Sequence, residues 1–366
     1  MRRLALLLAP ALLLAACASP AAAPEATTTV AATVEATATI AVTPSPAPTA
    51  TATAAPVGAS ITIDFVGDIS LARQVVDRMT AGGAGYPYAL IAPLMDADAG
   101  FANLEGALTE RGAPWPKGYN FRTPPRFASG LLPANFGVVT LANNHAMDYG
   151  AVGLTDTIDA LDAAGVRHAG AGVNALQAHI PAIVEKNGLR VAFLAYVATP
   201  DEGGGFSIRA WEAGANAPGL ALGTPAGIAA DVAAARRIAD FVVVAVHAGD
   251  EYRTAPNATQ RALAQAAMDA GADAYVGAHA HVVQPVEQRG RQLVAWGLGN
   301  FIFDLDEVDL ANIPQPRVSL ILKVTLTKGA GVTAWKAIAV TQDAAEDRPR
   351  PATAAEAAVL DRLIAP

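Results

Sequence analysis

The sequence predicts an α/β protein, and three observations carry that reading. Short apolar runs of β type, such as Phe136-Gly137-Val138-Val139-Thr140 and Phe241-Val242-Val243-Val244-Ala245-Val246, alternate with segments whose apolar residues recur at helical spacing. Polar residues capable of chemistry stand where these runs stop, which is where α/β proteins place their sites. The 366 residues are 52% hydrophobic and 16% charged, enough for one large domain of about 300 residues or two intimate ones.

Composition narrows the function classes. The formal net charge is −8, the pI is near 5.2, and no Lys/Arg block occurs, which argues against nucleic-acid binding. Cys17 is the single cysteine and lies in the N-terminal segment, so the remaining chain has no disulfide and no thiolate. Any metal must be held by His, Asp, Glu and Asn.

Arg2-Arg3 and the apolar stretch Leu4 to Ala16 read as a signal peptide, too short to span a bilayer as a permanent helix. Leu14-Ala15-Ala16-Cys17 resembles the bacterial lipobox, so residues 1–17 are expected to be a lipoprotein signal with Cys17 as the lipidated residue. That places the mature chain outside the cytoplasm, lipid-anchored to the bacterial cell membrane. An ordinary secretory signal with an incidental cysteine is the competing reading. Residues 18–57 are almost wholly Ala, Thr, Pro, Val and Ser and read as a disordered stalk. At about 3 Å per residue such a spacer reaches roughly 100 Å. Residues 58–366 are the expected folded domain.

That domain begins with Ser60-Ile61-Thr62-Ile63-Asp64-Phe65-Val66 and Gly67-Asp68, which puts Asp68 at the carboxyl end of a strand. Helices are predicted from about Leu71 to Met79 and from about Ala89 to Asp96. Strand-like Ala99 to Leu104 delivers Glu105, and Gly106 lets backbone and ligand approach closely. The polar loop Lys117 to Pro125 is too irregular for a plain connector; Lys117, Tyr119 and Arg122 could grip an anionic substrate or simply be solvated. Phe136 to Thr140 leads into Leu141-Ala142-Asn143-Asn144-His145-Ala146-Met147-Asp148, so Asn144 and His145 sit on a turn leaving a strand. An amide oxygen can ligate a metal and an imidazole can protonate a leaving group, although a polar turn without chemistry fits the same residues.

Further on, a helix is predicted from Leu154 to Ala164 with Gly165 as its stop, and a buried strand from Val191 to Val197. The Gly- and Ala-rich stretch Asp201 to Gly227 has no clear pattern. A helix from Ala229 to Ala239 precedes the apolar run that ends in His247, and a helix from Gln260 to Ala270 precedes Asp273 to Val276. Gly277-Ala278-His279-Ala280-His281 follows, where two imidazoles at period-two spacing can face one site and ligate adjacent metals. A strand from Leu293 to Leu298, a hairpin-like pair Val318 to Leu326 and Val332 to Val340, and a helix Ala354 to Ile364 complete the chain. His168 reads as structural and His179 as surface; Asp250 and Glu251 divide between support for His247 and a solvated loop.

Asp68, Glu105, Asn144, His145, His247, His279 and His281 all fall at predicted strand ends, which gathers them along one sheet edge. Residues from about 60 to 304 resemble the CapA family of poly-γ-glutamate capsule biosynthesis proteins, a branch of the calcineurin-like metallophosphatases. The matching pieces are Gly67-Asp68, Asn103-Leu104-Glu105-Gly106, Asn143-Asn144-His145 with Asp148 and Gly150, and His247 with Glu251-Tyr252. To these add Gln260, Gly271-Ala272-Asp273, Gly277-Ala278-His279-Ala280-His281 with Gln284-Pro285, and Gly299-Asn300-Phe301 with Phe303-Asp304.

The resemblance implies a four-layer α/β/β/α sandwich with two mixed sheets. It implies one or two divalent metal ions (Mn, Fe or Zn), one held by Asp68, Glu105 and His281, the other by Glu105, Asn144, His247 and His279. His145 would protonate the leaving group, with Asp148 orienting it, and Asn103, Lys117 and Arg122 would contact substrate. Ser70 stands where the wider superfamily has a histidine and Glu105 where an Asp is commoner, so a single occupied metal position, or none, stays open. Ala248 and Ala278 also depart from the family, which bears on substrate shape. The implied activity is metal-dependent hydrolysis in synthesis, tethering or export of poly-γ-glutamate or a related anionic envelope polymer. The expected partners are that polymer or a phosphoester, the membrane, and a membrane polymer synthase. A non-catalytic accessory subunit and a general envelope phosphodiesterase are the alternatives.

Overall fold

The computed structural model describes residues 58–365, apart from 203–204, 313–316 and 344–345; the expected signal peptide, Cys17 and the stalk lie outside the described residues. The longest apolar run shows why two sheets stack. In Phe241–Ala248, Phe241, Val243 and Ala245 enter the core shared by the two sheets. Val242, Val244 and Val246 point the other way, under helices Pro225–Ala235 and Ala258–Asp269. A strand covered on both faces reads as an unbroken apolar run, as this one does.

Eight strands form the first sheet, in the order Arg348–Pro351, Gly331–Asp343, Val318–Thr327, Ser60–Ile69, Ala99–Leu104, Phe136–Thr140, Arg167–Ala169, with Asn300–Ile302 also paired to Ser60–Ile69. Six form the second, in the order Val286–Arg289, Gln292–Ala295, Ala274–Ala278, Phe241–Ala248, Leu189–Ala198, Ala182–Lys186. Between them Phe65 and Phe101 meet Phe193, with ring centroids 6.5 and 5.4 Å away. Helix Gly150–Ala164 buries Leu154, Ile158 and Leu161 against the first sheet, and Ala354–Ile364 packs on the Val318–Thr327 hairpin. The layers run helix, sheet, sheet, helix, which is the four-layer α/β/β/α arrangement.

Ser60–Ile69, Ala99–Leu104 and Phe136–Thr140 run parallel, as do Leu189–Ala198, Phe241–Ala248 and Ala274–Ala278. Parallel strands release their carboxyl ends at a common edge, so each sheet delivers its polar residues to one place. Gln292–Ala295 pairs in the second sheet, yet Asn300–Ile302 pairs with Ser60–Ile69 in the first. The segment between them crosses from sheet to sheet and depends on two glycines. A Cβ on Gly67 would stand 1.8 Å from Gly299 O, and one on Gly277 would stand 1.8 Å from Trp296 O. Asp68 N–H donates to Gly299 O at 2.9 Å, which fixes the first carboxylate against this crossing.

Several elements differ from the sequence expectation. In place of a helix over Ala89 to Asp96 there are 3-10 turns, Tyr86–Tyr88 and Ala92–Leu94. Pro93 lacks an N–H and biases the residue before it away from helical geometry, which limits the segment to single turns. The helix expected from Leu71 begins later, at Gln74, because Arg73 adopts φ 58. The expected strand Leu293 to Leu298 stops at Ala295, and Leu298 makes only an isolated bridge to Val283 before the first-sheet strand begins at Asn300. The unassigned stretch holds the 3-10 turn Ile208–Trp211, the short strand Gly219–Leu220 and the start of helix Pro225–Ala235, capped by Thr224. Among the described residues no helix is long and apolar enough to cross a membrane.

Gly67→Ala and Gly277→Ala are each expected to lower the unfolding free energy by about 3 kcal/mol, the upper range for overpacking against immovable backbone. Gly118→Ala, whose added Cβ meets nothing within 4 Å, should leave it unchanged. Urea denaturation of the three variants checks both statements.

Candidate metal centre

The site forms where the two sheets release their strands. Ser60–Ile69 delivers Asp68, and the neighbouring strand places Asn103 beside it in register. Asn103 Nδ2 lies 2.8 Å from Asp68 Oδ1, 3.2 Å from Glu105 Oε2 and 3.2 Å from His247 Nδ1. Asn103 is thus a buried bracket that orients three other groups. Expected to contact substrate, it is 2% exposed and lines neither recess of the cleft.

Asn143 staples the next turn: its Nδ2 donates to Asn103 Oδ1 at 3.0 Å and Leu104 O at 2.8 Å, and its Oδ1 accepts from His145 N–H at 3.0 Å. From the second sheet, His247 Nε2 lies 3.0 Å from Asn144 Oδ1. Acceptance at Nδ1 from Asn103 and donation from Nε2 to Asn144 describe a neutral imidazole. His279 N–H donates to Asp68 Oδ2 at 3.2 Å, and His281 Nδ1 lies 2.7 Å from Asn300 Oδ1 and 3.8 Å from Asp68 Oδ2. Side chains of the two sheets therefore meet around one carboxylate.

His145 stacks on Phe121 with centroids 4.1 Å apart. Its Nδ1 lies 2.8 Å from Asp148 Oδ2, and its Nε2 lies 3.9 Å from Glu105 Oε1. Asp148 also accepts from Phe121 N–H at 2.5 Å, so one buried carboxylate fixes both ring and stack.

Two other expected substrate contacts are placed away from the cleft. The Lys117 side chain is 0% exposed; its Nζ lies 3.0 Å from Asp148 Oδ1, donates to Asn144 O, and sits over the rings of Phe206 and Trp211. It is buried beneath the Asn144–His145 turn, where it supplies Asp148 with a counter-charge, and it does not reach the cleft. Arg122 donates to Arg111 O and Gly112 O and lies over Tyr149, which directs it away from the cleft. Three residues with no sequence-assigned role contribute: Asn143, Asn300, and Glu202, which accepts from Asn144 Nδ2 at 2.7 Å. Asn300 follows the same strand-end logic as its neighbours; nothing local in the sequence marks Glu202.

Burial dominates the electrostatics. It raises Asp68, opposed by His281 and the hydrogen bonds of Asn103 and His279. It raises Glu105 well above the carboxylate range, and the charges of Asp68 and Glu251 add to this. Burial pushes His247 and His279 well below the usual imidazole value, helped by the surrounding imidazoles, and lowers His145 against the pull of Asp148. Neutral imidazoles beside carboxylates under mutual repulsion are what a cation stabilises.

The residues present fit divalent metal. Glu105 Oε1 and His279 Nδ1 are buried without a hydrogen-bond partner. Asp68, Glu105 and His247 each offer a ligand atom, all within 4.8 Å of one another, and so do Glu251, His279 and His281. The cleft opens into a cavity of about 540 Å³ bordered by Asn144, His145, Asp201, Glu202, Asp250 and Glu251.

Two mixed sheets between helices, with carboxylates and imidazoles gathered at their shared edge, define an α/β/β/α protein with a candidate metal centre. The chain belongs to the family described as bacterial capsule synthesis protein PGA_cap, which it matches over residues 62–305. It is 35% identical over 253 residues to the PGA biosynthesis protein CapA of Bacillus subtilis, covering 67% of this chain and 63% of that protein. It is 34% identical over 257 residues to the capsule biosynthesis protein CapA of Bacillus anthracis, covering 67% and 60%. The matched region therefore spans less than two thirds of these relatives' own length. A probable polyglutamine synthesis accessory protein of Mycobacterium tuberculosis is 33% identical over 197 residues, covering 51% and 50%. Among solved structures, a putative 5'-nucleotidase from Staphylococcus aureus aligns at 14% identity and TM-score 0.47, covering 83% of this chain and 58% of that one.

His279→Ala/His281→Ala is expected to remove at least one metal equivalent from the full chain purified without chelator. Elemental analysis beside the unaltered protein, with circular dichroism to confirm folding, checks it.

Proposed function

We propose that this chain is a membrane-anchored extracytoplasmic protein acting in synthesis, tethering or export of poly-γ-glutamate or a related anionic envelope polymer. We further propose that its cleft performs metal-dependent hydrolysis. The carrying observation is the buried Glu105 carboxylate, its Oε1 unpartnered between the Asp68–His247 side and the His145–Asp148 pair. Family membership and the names of the Bacillus relatives support the polymer. The anchor, with Cys17 lipidated and residues 18–57 as spacer, and the synthase partner rest on the sequence reading alone.

Asp68, Glu105, Asn144, His247, His279 and His281 would hold one or two ions of manganese, iron or zinc. When bound, such ions supply Lewis-acid stabilisation of charge on a phosphoryl or carbonyl centre. The remaining work falls to His145. Asp148 occupies Nδ1, so Nε2, on the Glu105 side, is the atom that exchanges a proton with a leaving group. Phe121 holds the ring plane, and Lys117 balances the Asp148 charge from below.

The rim carries Asp201, Glu202, Asp250 and Glu251, with Lys117 and Arg122 directed elsewhere. A polyanion would approach through the charge of the bound metal and of Arg73, which borders the adjoining recess. The mycobacterial relatives are described as accessory proteins, which favours a second reading as a non-catalytic subunit of a polymer synthase.

His145→Ala is expected to keep its metal and to lose about 10²- to 10⁴-fold of hydrolysis of γ-glutamyl polymer or phosphoesters. Full activity in the variant removes His145 from the chemistry. A metal-loaded wild type that turns over neither substrate leaves the accessory reading in front. Broad turnover of simple phosphoesters alone would identify a general envelope phosphodiesterase.

A further inference from the structure

Glu251 lies on the loop that follows Phe241–Ala248, exposed to solvent and bordering both recesses of the cleft. Its carboxylate offers a ligand atom within 4.8 Å of those of His279 and His281. The loop is tied to the histidine turn from two sides. Tyr252 N–H donates to Ala280 O at 2.8 Å, and Gln284 Nε2 donates to Arg253 O at 2.8 Å. Tyr252 OH is in turn held by Asp309 Oδ1 at 2.7 Å.

Backbone conformation marks the same place. Tyr252, His279 and His281 adopt φ values of 60°, 89° and 57°, a region costly for residues with a side chain. Such conformations persist only where the surroundings impose them, and they concentrate at functional sites. His279 is 3% exposed, and its Nδ1 has no hydrogen-bond partner. A buried imidazole nitrogen left without a partner, beside a second imidazole and a carboxylate, is suited to ligate a cation.

We propose that Glu251 is a metal ligand, which with His279 and His281 forms an outer divalent-cation position beside the inner trio Asp68, Glu105 and His247. Two imidazoles and one carboxylate suit manganese, iron or zinc and leave coordination positions open to the cavity. The inner trio is fully buried, whereas Glu251 reaches the outer position from the solvent side. The outer ion is therefore the exchangeable one, and Glu251 is the ligand that admits or releases it. The inference rests on reading the cleft as a metal centre.

The test compares manganese binding to the metal-stripped full chain, by titration calorimetry and electron paramagnetic resonance, for wild type, Glu251→Gln and Asp250→Asn. Asp250 is an exposed acid on the same rim and serves as the control for bulk charge. Wild type should take up about two equivalents. Glu251→Gln should lose one, or bind the weaker one at least tenfold less tightly with a changed resonance spectrum, while Asp250→Asn binds as wild type does. Glu251 is exposed, so its variant should retain the wild-type circular dichroism. Unchanged binding in Glu251→Gln overturns the assignment, and so does equal weakening in Asp250→Asn, which would reduce Glu251 to rim charge. A wild type that binds no manganese defeats the metal-centre reading itself and is distinguished by failing before any variant is compared.

Discussion

Asp68 and Glu105 are buried at 0% and 1% exposure, and among the described residues no Lys or Arg pairs with either. A buried carboxylate without a cationic Lys or Arg partner is among the most expensive features a fold can hold, and it is tolerated through hydrogen bonds, protonation or a bound cation. The architecture around this pair makes sense as the means of holding it. Parallel strands bring both carboxylates to one edge. Gly67 and Gly277 let the crossing segment close over them, and Asn103 and Asn143 spend their amide groups fixing the acids, the imidazoles and the turn. Burial that raises the acids and lowers the imidazoles leaves a site poised to exchange protons for metal.

A second buried charge system stands behind the first. Lys117 and Asp148 neutralise each other at 3.0 Å with both side chains 0% exposed, and Asp148 then fixes His145 Nδ1. The lysine also reaches the Asn144 carbonyl, so it braces the turn that carries both Asn144 and His145. With the lysine committed inward, the rim acidic and Arg73 of the adjoining recess paired with Asp304 and Asp306, a bound metal would be the main source of positive charge for an anionic substrate. The centre thus serves substrate attraction as well as chemistry in the proposed function.

Much of this was legible in the sequence because its signals are local. An apolar run ending in Asp68, Glu105, Asn144, His247 or His279 encodes a strand and the residue at its end, and parallel pairing brings those ends together. The antiparallel hairpin Val318–Thr327 with Gly331–Asp343 follows from two strand patterns joined by a short turn. What could not be read depends on contacts distant in sequence. Lys117 and Arg122 sit in a polar loop whose composition suits a substrate grip, and only the fold shows one buried under Asp148 and the other turned toward Tyr149. The passage of the chain from Ala295 in the second sheet to Asn300 in the first depends on a backbone approach to Gly67, more than 200 residues earlier. Glu202 comes from a stretch without periodicity, so its bond to Asn144 has no local sign.

The central claim is that the meeting of the two sheets is a metal centre built on Glu105. Crystals of the protein soaked in manganese, measured at the manganese absorption edge, test it most directly. The account predicts an anomalous peak within bonding distance of the Glu105 carboxylate. Peaks confined to exposed acids such as Asp77 and Asp162, with none at Glu105, would contradict it.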